Sequence, residues 1–232
     1  MFIESMGGIA CAAAGLMAYG VRGRASTLFG PSVWRGVSDR AAIALTFDDG
    51  PSERTPELLK LLESHGARAT FFQCGIHVRR LPEVVRQVAG AGHEIGNHTD
   101  THARLYLRSG GTIYDELARA QEAISQTAGV TPTLFRAPYG ARWFGLRSAQ
   151  RKLGLLGVMW TAIARDWKLS APAIVARLAA AARNGAIFCL HDGRRTNADA
   201  GPTIEAVRRL VPALQERGYH FETVSEILCP KN

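Results

Sequence analysis

From about residue 40 onward, short apolar runs alternate with longer stretches whose apolar side chains recur every three or four positions. A short apolar run bounded by turn residues reads as a buried strand, and the three-to-four spacing reads as a helix with one inward face. On that basis residues 41–47, 69–74, 133–135, 155–160, 186–190 and 220–223 are strands. Residues 55–65, 82–91, 112–127, 172–183 and 202–217 are helices. Leu58, Leu59, Leu61 and Leu62 mark the inner side of the first helix, and Ile113, Leu117, Ala120 and Ile124 that of the third. Pro82, Pro172 and Pro202 stand at helix starts, where a missing N–H costs nothing. Strands alternating with helices imply parallel β-α-β units in an α/β fold. No linker or low-complexity stretch interrupts the alternation, so residues 38–232 read as one domain. An open doubly wound sheet and a closed barrel both suit this strand count. Polar candidates gathered at strand C-terminal ends favour the barrel, which brings such ends to one mouth.

Residues 1–37 stand apart as an apolar and linker segment. Positions 6–21 carry no charge and are rich in Gly and Ala, with Arg22 and Arg24 directly after them. The stretch is shorter than the ~20 apolar residues of a membrane span. It lacks the positive charge that should precede the apolar part of a secretory signal. Arginines on its C-terminal flank would hold the downstream domain on the cytoplasmic side. Three readings stand: an uncleaved anchor, a signal with a misplaced start, or a small-residue helix packed on the domain.

Composition narrows the classes. Hydrophobic residues at 47% and charged residues at 21% are globular values. Four scattered cysteines (Cys11, Cys74, Cys189, Cys229) form no CxxC pair, which disfavours a disulfide framework or a zinc knuckle. The net charge of +8 suits an anionic wall polymer or lipid headgroups, though a solvated arginine-rich exterior is the plainer reading. No basic stripe is interleaved with aromatics, so nucleic-acid binding is disfavoured.

The chemistry concentrates in five segments. Thr46-Phe-Asp-Asp-Gly-Pro51 ends the first strand with two carboxylates, and His98-Thr-Asp-Thr-His102 supplies two histidines four positions apart. A catalytic divalent metal needs about three His/Asp ligands and an open position. One of Asp48 and Asp49, with His98 and His102, meets that need and leaves a spare carboxylate as a base. A helix-capping role for either aspartate is the plain alternative, but Gly50 and Pro51 intervene. Asn97 can fix the histidine loop through its side chain, and His93 reads as structural. Arg136-Ala-Pro-Tyr139 offers an arginine able to grip a carboxylate at two points, and a Tyr139 amide free to face a cavity. Asp166-Trp167 and His191-Asp192 follow further strands; a histidine there, raised by an aspartate, suits a general acid. Cys74 and Cys189 read as small core residues.

In this order the segments resemble the polysaccharide deacetylase family, also called the NodB-homology or carbohydrate esterase family 4 domain, over roughly residues 38–228. The resemblance implies a single-domain distorted (β/α) barrel with an incomplete strand set. It implies a metal triad of Asp49, His98 and His102, usually holding zinc, with cobalt as the other candidate. Asp48 corresponds to the base, His191 to the acid, Arg136 to the residue orienting the base, and Asp166 to the carboxylate tuning the acid. Tyr139 corresponds to the amide that helps hold an oxyanion, and Trp167 and Leu190 to apolar walls beside the acetyl group. Ile163 stands where the family often has the first Asp of DxxDW, which alters that side of the groove. The implied activity is N-deacetylation of N-acetylglucosamine residues in a peptidoglycan- or chitin-type glycan. O-acetyl esterase action on a xylan-like polymer, or hydrolysis of a small amide, would use the same residues. A catalytically dead carbohydrate-binding module is disfavoured because each catalytic position is filled. The resemblance points to the cell envelope or exterior, with membrane or wall association, whereas the poor signal leaves the cytoplasm open.

Overall fold

The computed structural model describes residues 2–193 and 200–230, with side chains from residue 11 onward. Its centre is β2 (Ala42–Gly50), flanked in parallel by β3 (Ala69–Gln73) and β8 (Ala186–His191). Beyond β3 lie β4 (Glu94–Asn97), β5 (Leu134–Phe135), β6 (Leu156–Val158) and β1 (Ser32–Val33); beyond β8 lies β7 (Ala162–Ile163). A short β9 (His220–Phe221) pairs with the start of β2. The strands curl into a parallel half-barrel, with β1 and β7 at the two open edges. Thr161 spans the gap between those edges. Its N–H donates to the Ile187 carbonyl (2.8 Å) and its hydroxyl to the Trp34 carbonyl (3.1 Å). The expected barrel with an incomplete strand set is therefore what forms.

Up to Phe47 strand β2 is apolar except for Thr46, because both of its faces are covered. Ile43, Leu45 and Phe47 point outward into the main core beneath the helices, while Ala42 and Ala44 point inward. The same period of two sorts β8, with Phe188 and Leu190 outward and Ile187 inward. Val224 and Ile227 of α9 (Val224–Leu228) join Ala44, Phe72, Val158 and Ile187 in the inner cluster. That cluster fills the floor of the curl beneath the C-terminal ends of the strands.

The outer layer contains α2 (Thr55–Ser64), α4 (Pro82–Gly90), α5 (Gly110–Ala128), α7 (Ala171–Ala180) and α8 (Gly201–Glu216), close to the expected helices. Two more, α3 (Gly75–Arg80) and α6 (Leu146–Leu153), have no counterpart in the apolar periodicity. At six residues α3 is too short to register a 3.6-residue repeat; the eight-residue α6 buries one face through Leu146, Ala149 and Gln150, but that face includes a polar glutamine. The N-terminal stretch is a helix, α1 (Phe2–Arg22). Of its described side chains only the last turns are covered, where Val21 and Met17 meet Phe29, Ala141 and Trp143. Among the described residues no helix is long and apolar enough to cross a membrane.

Candidate active site

The two aspartates share one cavity because β2 ends in a bulge. Asp48 pairs with Phe72 of β3 and Gly50 with Gln73, so Asp49 is an extra residue, held at φ 70°. A regular strand would send neighbouring side chains to opposite faces; the bulge re-aims Asp49. Neither carboxylate caps α2, whose N-terminus has no side-chain cap.

His98 and His102 lie in the loop after β4, not on a helix. Asn97 shapes this loop as its position suggested: its side-chain oxygen accepts from the Thr99 N–H (2.9 Å), while its amide donates to Leu117 and Gln121. The Glu116 carboxylate holds the N–H groups of Asp100 and Thr101 from behind. Oδ1 of Asp49 lies 3.1 Å from His98 Nε2 and 3.0 Å from His102 Nε2. His98 Nδ1 faces the Arg136 carbonyl at 2.8 Å, and a carbonyl only accepts, so Nδ1 carries hydrogen there. In the neutral ring the Nε2 lone pair then points at a carboxylate oxygen. Two acceptors so close repel unless a cation lies between them, so the donor set fits a divalent ion with an open coordination position. Burial alone would raise the Asp49 carboxyl, but the two imidazoles that face it, His102 and His98, outweigh burial and hold it well below the usual carboxylate range. His93 is structural: Nδ1 accepts the Ala69 N–H, and burial depresses it to about 4.

Arg136 is fully buried, its guanidinium 4.2 Å from the centre of the Phe72 ring. It meets Asp48 through one bond only, Nη1 to Oδ1 at 2.7 Å, and not through the two-point grip expected. Its remaining donors go to Thr46 Oγ1 (2.6 Å) and the carbonyls of Val158 (3.1 Å) and Met159 (3.2 Å). Arg136 thus ties β2 to the end of β6 as well as orienting the carboxylate. Cys189 was expected to be a core residue, yet it lines the cavity and its thiol donates to Asp48 Oδ2 at 3.4 Å. Strand alternation puts Cys189 on the same inner face as His191.

Tyr139 sits in a 3-10 turn (Pro138–Gly140) at φ 60°, and its N–H has no acceptor among the described residues. Asp49, His102 and Tyr139 are all non-glycine residues with positive φ, and all three line the cavity. Such backbone costs of order 1–3 kcal/mol at each position and persists only where the surrounding structure holds it.

Across the cavity, His191 Nδ1 donates to Asp166 Oδ1 at 2.8 Å, leaving Nε2 for the cavity. Asp166 Oδ2 accepts from the His191 N–H and the Thr203 hydroxyl, each at 2.8 Å. Burial would lower the imidazole, but the bond and charge of Asp166 lift it to about 9. Trp167, about half exposed, meets the His191 ring edge-on at 5.3 Å. Leu190 departs from expectation. It is fully buried in the outer core and absent from the cavity wall, because strand alternation turns it away from the face that Cys189 and His191 share. The apolar wall is built by Trp160, Ile163 and Trp167, so Ile163 enters the wall itself.

The cavity encloses about 510 Å³, large enough for a sugar unit. A larger one of about 740 Å³ lies beside α6, but no carboxylate, histidine or cysteine lines it. Reactive groups converge only in the first of these two.

A parallel half-barrel that gathers an Asp-His-His cluster, a carboxylate held by Arg136 and a histidine held by Asp166 at its C-terminal rim has the kind of donor set and partnered titratable groups that metal-site hydrolases use. The sequence profile described as polysaccharide deacetylase matches residues 35–158. A chitooligosaccharide deacetylase of Bradyrhizobium sp. (strain ANU 289) is 38% identical over 202 residues, covering 82% of this chain and 92% of that protein. A peptidoglycan-N-acetylglucosamine deacetylase of Bacillus cereus is 35% identical over 203 residues, covering 86% and 93%. The solved structure of the Bc1960 peptidoglycan N-acetylglucosamine deacetylase, with a bound hydroxybenzamide ligand, superposes with a TM-score of 0.81 at 28% identity, covering 86% and 92%. The chain belongs to the polysaccharide deacetylase family.

Proposed function

We propose that the protein is a zinc-dependent hydrolase that releases acetate from N-acetylglucosamine residues of a peptidoglycan- or chitin-type glycan. The observation that carries this reading is the convergence on one cavity of the Asp49–His98–His102 cluster, Asp48 and His191. Relatives named for deacetylation of these glycans support it.

Asp49, His98 and His102 would hold the ion, and their mixed nitrogen and oxygen donors suit zinc, with cobalt the nearest substitute. When bound, it supplies polarisation of the acetamide carbonyl and acidification of a water. The chain's own residues do the rest. Asp48, oriented by Arg136, accepts a proton from the attacking water. The Tyr139 N–H donates to the oxygen that gains charge, a role a backbone donor performs without reorganising. Trp160, Ile163 and Trp167 pack the acetyl methyl. His191, protonated at neutral pH through Asp166, donates to the departing nitrogen as the C–N bond breaks. The products are acetate and a free amino sugar.

The test is acetate release from N-acetylglucosamine oligomers, with acetylated xylan in parallel and zinc, cobalt and a chelator compared. Release from the oligomers that a chelator abolishes and zinc restores is expected. Release from xylan alone would assign the site to ester hydrolysis, and indifference to the chelator would remove the metal from the reaction.

A further inference from the structure

The catalytic segments leave one charged residue of the described cavity wall without a role. Arg22, the last residue of α1, lines the cavity together with Asp48, Asp49, His102 and Tyr139. It is exposed, and it has no ion pair or side-chain hydrogen bond among the described residues. The carboxylates around the cavity are already engaged: Asp48 by Arg136, Asp49 by the two histidines, and Asp166 by His191. Arg22 therefore has no internal charge to neutralise. Arg24, two residues on, shows the contrast: its guanidinium donates to the Thr161 carbonyl and lies 5.7 Å from the centre of the Trp34 ring.

Arg22 is carried on a fixed support. Arg142, almost fully buried, donates through its N–H to the Val21 carbonyl (3.1 Å) and through its guanidinium to the carbonyls of Ser26 (2.5 Å) and Gly23. Val21, Phe29 and Ala141 close a small apolar cluster over that joint. Residues 21–29 are thereby stapled to the turn that carries Tyr139. A second exposed arginine, Arg104, lies 5.0 Å from the centre of the Tyr139 ring, also without an ion pair among the described residues. Beside Tyr139 there are thus two exposed arginines without an ion pair among the described residues, and the backbone that carries Arg22 to the cavity wall is held in place by Arg142.

We propose that Arg22 forms a cationic, anion-binding subsite selecting glycans that bear a carboxylate on the sugar next to the one being deacetylated. This rests on the deacetylase reading and names its preferred substrate class as an acidic rather than a neutral amino-sugar polymer. A guanidinium and a carboxylate paired at a solvent-exposed rim should favour the acid about fivefold.

The test uses the full-length protein with zinc added, carrying Asp48→Asn so that substrate is not consumed. Calorimetry compares a tetrasaccharide of alternating N-acetylglucosamine and its 3-O-lactyl derivative with the same compound methyl-esterified at its carboxylates. The free acid should bind about fivefold more tightly. Arg22→Gln should bring the ratio close to one, Arg22→Lys should restore most of it, and an Arg151→Gln control on α6 should leave it intact. Equal affinities for acid and ester, a ratio untouched by Arg22→Gln, or a ratio lost equally in Arg151→Gln would each overturn the subsite. Acetate release by the protein with Asp48 intact is scored separately, so failure of the deacetylase reading shows as absent turnover whatever the binding ratio.

Discussion

Replacing Asp166 by Asn tests how the fold makes His191 an acid. Asp166 accepts three hydrogen bonds, from His191 Nδ1, the His191 N–H and the Thr203 hydroxyl; the amide removes the charge and, with a single acceptor oxygen, also gives up part of that set, a loss that does not vary with pH. With Asp166 the imidazole stands at about 9; without that charge burial draws it down and only the charges of Asp48 and Asp49 still raise it, so it falls toward its ordinary 6.5. That separation of about 2.5 pH units corresponds to about 3 kcal/mol of preference for the protonated ring. At pH 8 the protonated fraction would drop from about nine-tenths to about one-thirtieth, a roughly 30-fold loss of turnover, while at pH 6 the loss from this cause stays under about twofold. A bound divalent ion would shift both limbs to lower pH and the pH window of the loss with them, so the assay reads the separation of the two alkaline limbs rather than the loss at one pH. The assay is kcat/KM for acetate release from pH 5 to 10 in both proteins. A loss of equal size at every pH, or an alkaline limb that does not move, would refute the assignment of His191 as an acid raised by Asp166.

Asp48→Asn should retain zinc at wild-type stoichiometry yet lose nearly all turnover, whereas His98→Ala should lose zinc and activity together. Metal analysis beside acetate release distinguishes the two roles, and unchanged zinc in the histidine variant would sink its ligand assignment. Arg136→Met strips a buried carboxylate of its partner, a change that costs about 3–5 kcal/mol and lowers Tm by roughly 10 °C in a chain of this size. Pairing it with Asp48→Asn should recover part of that loss in a thermal melt, and no recovery would count against the buried pair. The His191–Asp166 pair also makes stability depend on pH. The raised histidine contributes fully below about 6.5 and loses its contribution as pH climbs to about 9; the Asp166 carboxyl, held below its ordinary 3.8, contributes above that value and is lost as pH falls past it. The Tm difference between the unaltered protein and Asp166→Asn should therefore be largest between about pH 4 and 6.5 and shrink by pH 9; a difference constant with pH would contradict this.

The alternation of apolar runs and amphipathic stretches was enough to place the long helices and the central strands, because burial on both faces of β2 and β8 leaves a mostly apolar signature. Short elements escaped. The two-residue β1 and β7 and the helices α3 and α6 are held by contacts distant in the chain rather than by a local repeat. The reactive residues were legible because metal ligands and proton-transfer groups demand particular side chains beside turn residues at strand ends.

What those letters left open was direction. Cys189 and Leu190 are adjacent in an apolar run, and only their register against β2 shows that the first faces the cavity and the second the core. Asp48 and Asp49 reach one cavity only because a bulge at φ 70° re-aims the second, a backbone choice that depends on pairing with β3. Arg22 belongs to a stretch whose composition suggested an anchor or a packed helix, and it reaches the cavity wall because Arg142, 120 positions later, binds the carbonyls around it. The sequence by itself determined the inventory of chemistry and the repeating α/β pattern, since those depend on residue type and local spacing. Only the tertiary structure decided which neighbour faces inward and which distant segment completes the wall, because those depend on hydrogen bonds and packing between parts of the chain that never meet in sequence.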